Sequence, residues 1–564
     1  MSNTSSVSTY FLQKLIFPGV GAFETAIVNL KSKGLFEPLR AYIASGKPYF
    51  GICIGMQVLF TSSTESPTSR GLAIIDGPIA EFDNAGKPVP HMGWNHVQLL
   101  ADSDEDRTRE TSETGMDEGS TYYFVHSYRA SYVPARNADW GHTTTQYGRE
   151  IFLATVRKDN VFACQFHPEK SGKAGLKVLK SWLDAPIHFV DGEYPSRPKR
   201  LITINEMDGF TKRIIACMDV RANDDGDLVV TKGDQYDVRE KEGTLPTVTT
   251  EIGPGNDSSG NAPPSPKRKV RNLGKPVALA LRYFESGADE ICLLNITSFR
   301  NSPLLDQPMI AVVQEAASKI FVPLTIGGGI KATVDPDGTP RSAVEIASAY
   351  FRAGADKVSI GSEAVSSVER LREREDKADG TSPIETIARV YGRQAVVVSV
   401  DPRKVYVDPS LYDAKTGVYD GPYADEVVRG KSALGTLMDK ADIDRAWWYQ
   451  CTIKGGREAR PLSVKQLVQG AETLGAGEIL VNSIDRDGTN AGFDLDLVDL
   501  VRRSVRIPVV ASSGAGSAAH FVDVFERTGV EAALAAGIFH RREVEVSEVK
   551  KLCRGRGVIV RSGL

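Results

Sequence analysis

The 564-residue chain lacks an excess of charge of either sign, with 68 Lys and Arg against 72 Asp and Glu and a formal net charge of −4. No chain-wide basic field marks it as a nucleic-acid binder. Cysteine is scarce: the six residues at 53, 164, 217, 292, 451 and 553 include no CxxC pair and fall far below the density of a disulfide framework, which favours a reducing compartment. Neither a metal site nor a cofactor is expected. No run of 18 apolar residues occurs, so a membrane-spanning helix is not expected. The opening MSNTSSVSTYFLQK has no basic residue before Lys14 and no long apolar core, so no secretory signal is expected. Its lack of Arg argues against a transit peptide, and the cytoplasm is the expected compartment. What is present is a globular composition, 41% hydrophobic and 8% aromatic, in a length that suits two to four domains at roughly 150 residues each.

Apolar runs alternate with amphipathic stretches of helix length. That alternation marks βαβ units with parallel strands buried on both faces, so the fold class is α/β. Periodicity fails at DGEYPSRPKR, residues 191–200, where Pro and charge gather. The expected division is a first domain over 1–190, a linker over 191–210 and a second domain over 211–564. Two polar stretches, at about 240–272 and about 404–446, are expected to be surface insertions in the second domain. The basic run Lys267-Arg268-Lys269 with Arg271 lies in the first of these and is expected to be a solvated loop.

After residue 211 the chain repeats itself. IIACMDV, with Asp219, is echoed by VVVSVDP, with Asp401, and GADEICLLNIT from Gly287 by GAGEILVNSID from Gly475. VPLTIGGGI is echoed by IPVVASSGAG and, more weakly, GADKVSIGS from Gly354 by GVEAALAAG from Gly529, all at offsets of about 180 residues. Two halves of four strand-like runs make eight, which predicts a (β/α)8 barrel with a half-barrel repeat. Less its insertions the segment is about 280 residues, close to the ~250 typical of that fold.

In the first domain PYFGICIGMQVLF sets Cys53 between an apolar strand and an apolar helical stretch, flanked by Gly51 and Gly55. The pattern predicts a nucleophile elbow, in which glycines permit a sharp turn and the following helix N-terminus favours thiolate. VFACQFHPEKSG runs an apolar strand into His167-Pro168-Glu169. His167 is the candidate base for the thiol proton and Glu169 the group that orients the imidazole.

Cys, His and Glu in these contexts and in this order resemble the class I glutamine amidotransferases over about residues 15–185. The resemblance implies hydrolysis of glutamine to glutamate and ammonia through a γ-glutamyl thioester. It implies that Pro18-Gly19-Val20-Gly21 is the oxyanion loop, offering a peptide N–H of Val20 or Gly21, and that Gln57, Ser127 and Tyr128 hold the glutamine. Only 17 residues precede Pro18, where the resemblance implies a further βαβ unit of about 30 residues or more. The expectation is a domain short by that unit, less stable and weaker as a glutaminase.

Barrel active sites lie at the C-terminal ends of the strands. The repeat puts Asp219 and Asp401 on strands one and five, across the mouth, where two carboxylates can divide acid and base roles. TIGGGI, with Gly329, and SIGS, with Gly361 and Ser362, close consecutive strands of the first half. ASSGAG, with Ser513 and Gly514, and AAG, with Gly537, do so in the second. Small residues there let backbone N–H groups meet an anion, and two symmetry-related sites suit a substrate with a phosphate at each end.

This half resembles the cyclase barrel of histidine biosynthesis. On RIIACMDV, DKVSIGS and DRDG (485–488), the whole chain resembles the imidazole glycerol phosphate synthases in their eukaryotic bifunctional form. The resemblance implies that ammonia and a bisphosphate ribonucleotide, phosphoribulosyl-formimino-aminoimidazole carboxamide ribonucleotide, become imidazole glycerol phosphate and aminoimidazole carboxamide ribonucleotide. It implies Asp219 and Asp401 as the acid–base pair, Lys232 near the first loop, and Asp487 and Gly488 at the second phosphate or the glycerol. It also implies a ring of Arg213, Glu290, Lys357 and Glu478 at the barrel's N-terminal face, where the glutaminase docks and ammonia passes. A monomer with an intramolecular domain interface is expected. The alternatives are an ammonia-dependent cyclase with an impaired glutaminase and a barrel isomerase of the same pathway.

Overall fold

The computed structural model describes residues 13–186, 202–222, 228–231, 274–296, 308–335, 337–435 and 440–562. Short apolar runs bounded by turns build the first domain. Its principal strands are β1 (Leu15–Phe17), β2 (Tyr49–Ile52), β3 (His91–His96), β4 (Gln98–Leu99), β5 (Thr121–His126), β6 (Gly141–Tyr147), β7 (Glu150–Lys158) and β8 (Val161–Cys164). Six form one sheet in the order β1-β2-β8-β7-β6-β4. β2 lies parallel between β1 and β8, and every residue of β2 and β8 is buried, the condition of strands covered on both faces.

β3 and β5 pair antiparallel as a separate ribbon, from His91 opposite His126 to His96 opposite Thr121. Successive side chains of a strand face opposite ways, and here the two faces serve two domains. Met92, Trp94, Tyr123 and Val125 join the core of the second domain, whereas Tyr122 and Phe124 stay in the core of the first. Trp94 Nε1 donates to Asp289 O at 3.1 Å, and the Arg561 guanidinium stacks 4.2 Å over its ring. Lys170 adds an ion pair to Asp356 at 2.8 Å, and Gly172 N–H donates to Phe321 O at 2.9 Å.

The second domain is a closed barrel of eight parallel strands. They are β9 (Arg213–Ala222), β10 (Glu290–Asn295), β11 (Leu324–Gly327), β12 (Lys357–Ile360), β13 (Val396–Val400), β14 (Glu478–Asn482), β15 (Val509–Ser512) and β16 (Ala532–Ala535). β9 pairs with both β10 and β16, which closes the ring. The two halves of the repeat are β9–β12 and β13–β16. Ile215, Cys217, Val397, Leu480, Val510 and Leu534 form one small cluster inside the barrel, while the intervening Ile214, Ala216, Val396, Val398 and Ile479 join the larger core toward the helices.

The polar stretch over 404–446 belongs to a four-stranded antiparallel sheet at the barrel mouth, made of Pro402–Tyr406, Val428–Arg429, Ala446–Ile453 and Glu458–Ser463. Trp447 and Tyr449 are buried in it, and Lys404 Nζ lies 3.9 Å from the Trp447 ring centre with Asp442 at 3.0 Å. Of its strands only Val428–Arg429 lies wholly within the polar stretch, and two residues show no period in sequence. The stretch at about 240–272, with Lys267–Arg271, and residues 191–201 of the linker lie outside the described residues. Among the described residues no helix is long and apolar enough to cross a membrane.

Trp94 is fully buried at the joint between the domains. Trp94→Ala should lower unfolding stability by about 3–5 kcal/mol through loss of burial and an unfilled cavity. The readout is the denaturation midpoint, and an unchanged midpoint would show that the ribbon does not carry the docking.

Candidate active sites

Cys53 follows β2 and precedes a single helical turn, Ile54–Gln57. The strained backbone is its own, at φ 52° and ψ −103°. Gly51 and Gly55 are not in the left-handed region, which corrects the expectation that they supply the turn. They are needed for close approach: a Cβ on Gly51 would lie 2.4 Å from Gly55 O, and one on Gly55 1.9 Å from Phe17 O. Cys53 N–H donates to Cys164 O at 2.8 Å and ties the elbow to β8. A helix of one turn offers little macrodipole to a thiolate.

β8 leads through Gln165 and Phe166 to His167. Its backbone is clamped, the N–H donating to Tyr123 O at 2.9 Å and the carbonyl accepting from Ser171 Oγ at 2.6 Å. His167 Nδ1 meets Glu169 Oε1 at 2.7 Å. Burial opposes the imidazolium, but Glu169 and Cys53 outweigh it and hold the His167 pKa well above its ordinary value. Burial likewise opposes the Glu169 carboxylate, and the His167 charge outweighs it, leaving that carboxyl below the usual range. The arrangement can store the thiol proton on His167.

Gln57 Nε2 donates to Tyr128 O and to Gln165 Oε1, each at 3.1 Å, and Gln165 Nε2 donates to Cys53 Sγ at 3.5 Å. Ser127 Oγ is buried and has no hydrogen-bond partner among the described residues. The loop Pro18–Gly21 follows β1 directly and is joined to the elbow by Ile54 N–H, which donates to Gly19 O at 3.4 Å. In it Val20 is 51% exposed and Gly21 has φ 133°. Sequence reasoning missed Gln165. The signal was one amide within the apolar run VFACQF, which must be bonded once buried.

At the barrel floor Arg213 donates to Glu290 Oε2 at 2.7 Å and also to Glu478. Lys357 Nζ lies 2.6 Å from carboxylate oxygens of both Glu290 and Glu478. Thr325 Oγ1, also missed in sequence, donates to Glu290 Oε1 at 2.6 Å. None of the four charged residues is more than 2% exposed. Burial opposes the Glu478 charge, yet Arg213 and Lys357 hold its carboxyl below the usual range. Met92 Sδ stands 3.7 Å from Lys357 Nζ.

At the mouth, β9 runs past Asp219 to Ala222 and pairs with Leu228–Thr231, so Asp219 lies within the strand at the barrel lip and not at its end. Asp401 directly follows β13, and its Oδ1 accepts from Asn482 Nδ2 at 3.0 Å, a contact sequence did not suggest. The two carboxylates are on opposite strands of the ring. Gly329 has φ 76°, and Gly361 precedes the helix Ser362–Glu373, where Ser362 Oγ accepts from Lys454 N–H at 3.0 Å. Opposite them Ser513 has φ 73°, and a Cβ on Gly514 would lie 2.2 Å from Gly492 O. Gly537 opens the short helix Gly537–His540. These residues follow β11, β12, β15 and β16, two adjacent pairs facing each other across the mouth. Asp487 and Gly488 form the turn after β14, with Asp487 N–H donating to Ser483 O at 3.0 Å. Lys232 lies outside the described residues.

Burial raises the Asp401 pKa and Asp487 raises it further, against the lowering by Asn482. A carboxyl raised on folding stabilises the fold at low pH, and that contribution fades as pH climbs from the unfolded to the folded pKa. Asp401→Asn should therefore raise the melting temperature at pH 7 and lose that advantage below about pH 4. Equal effects at both pH values would contradict the raised pKa.

Residues 5–184 match the family described as Glutamine amidotransferase class-I, and residues 213–545 match the family described as Histidine biosynthesis protein. The chain is 49% identical to imidazole glycerol phosphate synthase hisHF of Emericella nidulans, over 98% of this chain and 92% of that relative. It is 47% identical to the hisHF protein of Schizosaccharomyces pombe, over 97% and 92% of the two chains. It is also 47% identical to the chloroplastic hisHF protein of Arabidopsis thaliana, over 97% and 83%. The chain therefore belongs to the bifunctional imidazole glycerol phosphate synthase hisHF family, an amidotransferase domain fused to a histidine-biosynthesis barrel.

Proposed function

We propose that the chain hydrolyses glutamine at Cys53, His167 and Glu169 and uses the ammonia at the barrel mouth. There it converts phosphoribulosyl-formimino-aminoimidazole carboxamide ribonucleotide to imidazole glycerol phosphate and aminoimidazole carboxamide ribonucleotide. His167 takes the Cys53 proton, and the thiolate adds to the amide carbon of glutamine held by Gln57, Ser127 and Tyr128. The oxyanion faces a peptide N–H of Val20 or Gly21. His167 returns the proton to the leaving nitrogen, the C–N bond breaks, and ammonia departs from a γ-glutamyl thioester. Water, deprotonated by His167, then cleaves the thioester to glutamate and restores the thiol.

Arg213, Ile215, Cys217 and Asp219 alternate along one face of β9, so floor and mouth are about 20 Å apart along a single strand. The interior between them is apolar and suits neutral ammonia once the ring of Arg213, Glu290, Lys357 and Glu478 opens. At the mouth, Asp401 is the better proton donor, since its burial favours the protonated acid, and Asp219 is the base. Gly329, Gly361 and Ser362 would hold one phosphate. Ser513, Gly514 and Gly537, with Asp487 and Gly488, would hold the other end, and Lys232 would add a substrate contact.

One observation carries this reading. The Tyr123 carbonyl holds the His167 N–H while its ring lies in the barrel-side core, so triad and barrel floor share a residue. The decisive assay supplies the bisphosphate with glutamine and, separately, with an ammonium salt. Cys53→Ala should remove glutamine-dependent turnover by roughly 10³-fold or more and leave ammonium-dependent turnover. Asp219→Asn should abolish both. Turnover of the unchanged chain with ammonium alone would assign it an impaired glutaminase, and turnover with neither would reject the synthase.

A further inference from the structure

We propose that the Gln165 side-chain amide is a catalytic hydrogen-bond donor to the Cys53 sulfur, stabilising the thiolate that attacks glutamine; this rests on the reading of Cys53 as the nucleophile. Gln165 is fully buried, its own N–H is bound to Ala154 O at 2.8 Å, and its Nε2 lies 3.5 Å from Cys53 Sγ. An amide could present oxygen or nitrogen to the sulfur. A chain of hydrogen bonds beginning at the domain joint decides between them.

Asn95 Oδ1 accepts from His96 N–H at 2.8 Å, so its Nδ2 is the atom that faces Gln146 O at 2.9 Å and His91 Nε2 at 3.2 Å. His91 Nε2 must then accept, which leaves the proton on Nδ1, directed at His126 Nε2 3.3 Å away. His126 in turn carries its proton on Nδ1 and donates to Tyr128 O at 2.8 Å. Both rings are neutral, as burial requires: it holds His91 well below its ordinary pKa and brings His126 down to about 3. Tyr128 O can only accept, so Gln57 turns Nε2 toward it and spends its second N–H on Gln165 Oε1. Reversing Gln165 would oppose two N–H donors and set a carbonyl oxygen against a sulfur anion. Its Nε2 therefore faces Cys53.

The titratable groups bearing on Cys53 are His167, backed by Glu169, and Cys164 on the adjoining strand. His167 must surrender its proton to the leaving nitrogen, whereas the Gln165 donor stays in place throughout. A hydrogen bond to an anion of this kind displaces a thiol titration by about one to two pH units.

The test compares the unchanged chain with Gln165→Leu, Gln165→Glu and Cys53→Ala. Iodoacetamide alkylation of Cys53 is followed by mass spectrometry from pH 5 to 10, alongside glutaminase kinetics with the barrel substrate present. The inflection should rise by about one to two units in Gln165→Leu and further in Gln165→Glu, which keeps the side-chain size but adds a negative charge. kcat for glutamine should fall roughly 10- to 100-fold with KM nearly unchanged. Wild-type inflections and kcat in both variants would overturn the proposal, as would equal shifts in the two, which mark loss of packing. Glutaminase activity surviving in Cys53→Ala would instead overturn the nucleophile assignment on which it rests.

Discussion

Arg213 and Lys357 each reach both Glu290 and Glu478, and none of the four has access to water. A single one of these charges in that place would be held at a cost of several kcal/mol, and the four are tolerable only as a closed, mutually compensated ring. The ring fixes the register of strands β9, β10, β12 and β14 at the floor of the barrel, because each charge must be the first residue of its strand. It also defines what can cover the floor. The surface beneath must be apolar enough to keep water out yet polarisable enough to tolerate an ammonium group, and Met92 meets Lys357 through its sulfur.

The β3–β5 ribbon supplies that cover through the simplest property of a strand, its two faces. Met92, Trp94, Tyr123 and Val125 belong to the barrel side, while His91 and His126 turn inward and carry hydrogen bonds toward Tyr128, Gln57, Gln165 and Cys53. Docking and the hydrogen bonds that lead to Cys53 are thus two sides of one pair of strands. His167 is tied to the same ribbon through Tyr123. The same alternation operates within the barrel, where β9 presents Arg213, Ile215, Cys217 and Asp219 to the interior in sequence from floor to mouth.

Much of this was legible in the residues. The half-repeat announced eight strands because parallel strands buried on both faces must be apolar throughout, and its Asp residues and small-residue strand ends fell where barrels do chemistry. GICIG marked the sharp turn at Cys53, and HPE the paired His167 and Glu169. The sheet at the mouth was not legible in the polar stretch, where its one whole strand, Val428–Arg429, is too short to have a period to detect. Gly51 and Gly55 were visible, but their purpose was not: the positive φ belongs to Cys53, and the glycines avoid collision with backbone oxygens. Asn482, Thr325 and Gln165 went unnoticed because a single polar residue in an apolar run signals that it must be bonded but not to what.

The sequence by itself determined the fold class, the two domains and the residue types able to do the chemistry, because periodicity and strand-end composition are local properties. Only the tertiary structure decided which groups meet. The ring joins residues up to 265 positions apart, and Gln165 reaches Cys53 across 112. Contacts at such separations are set by strand register and by which face of a ribbon turns toward the barrel. A hydrogen bond needs atoms within about 3 Å of each other, and that precision arises only when the packed core fixes both partners at once.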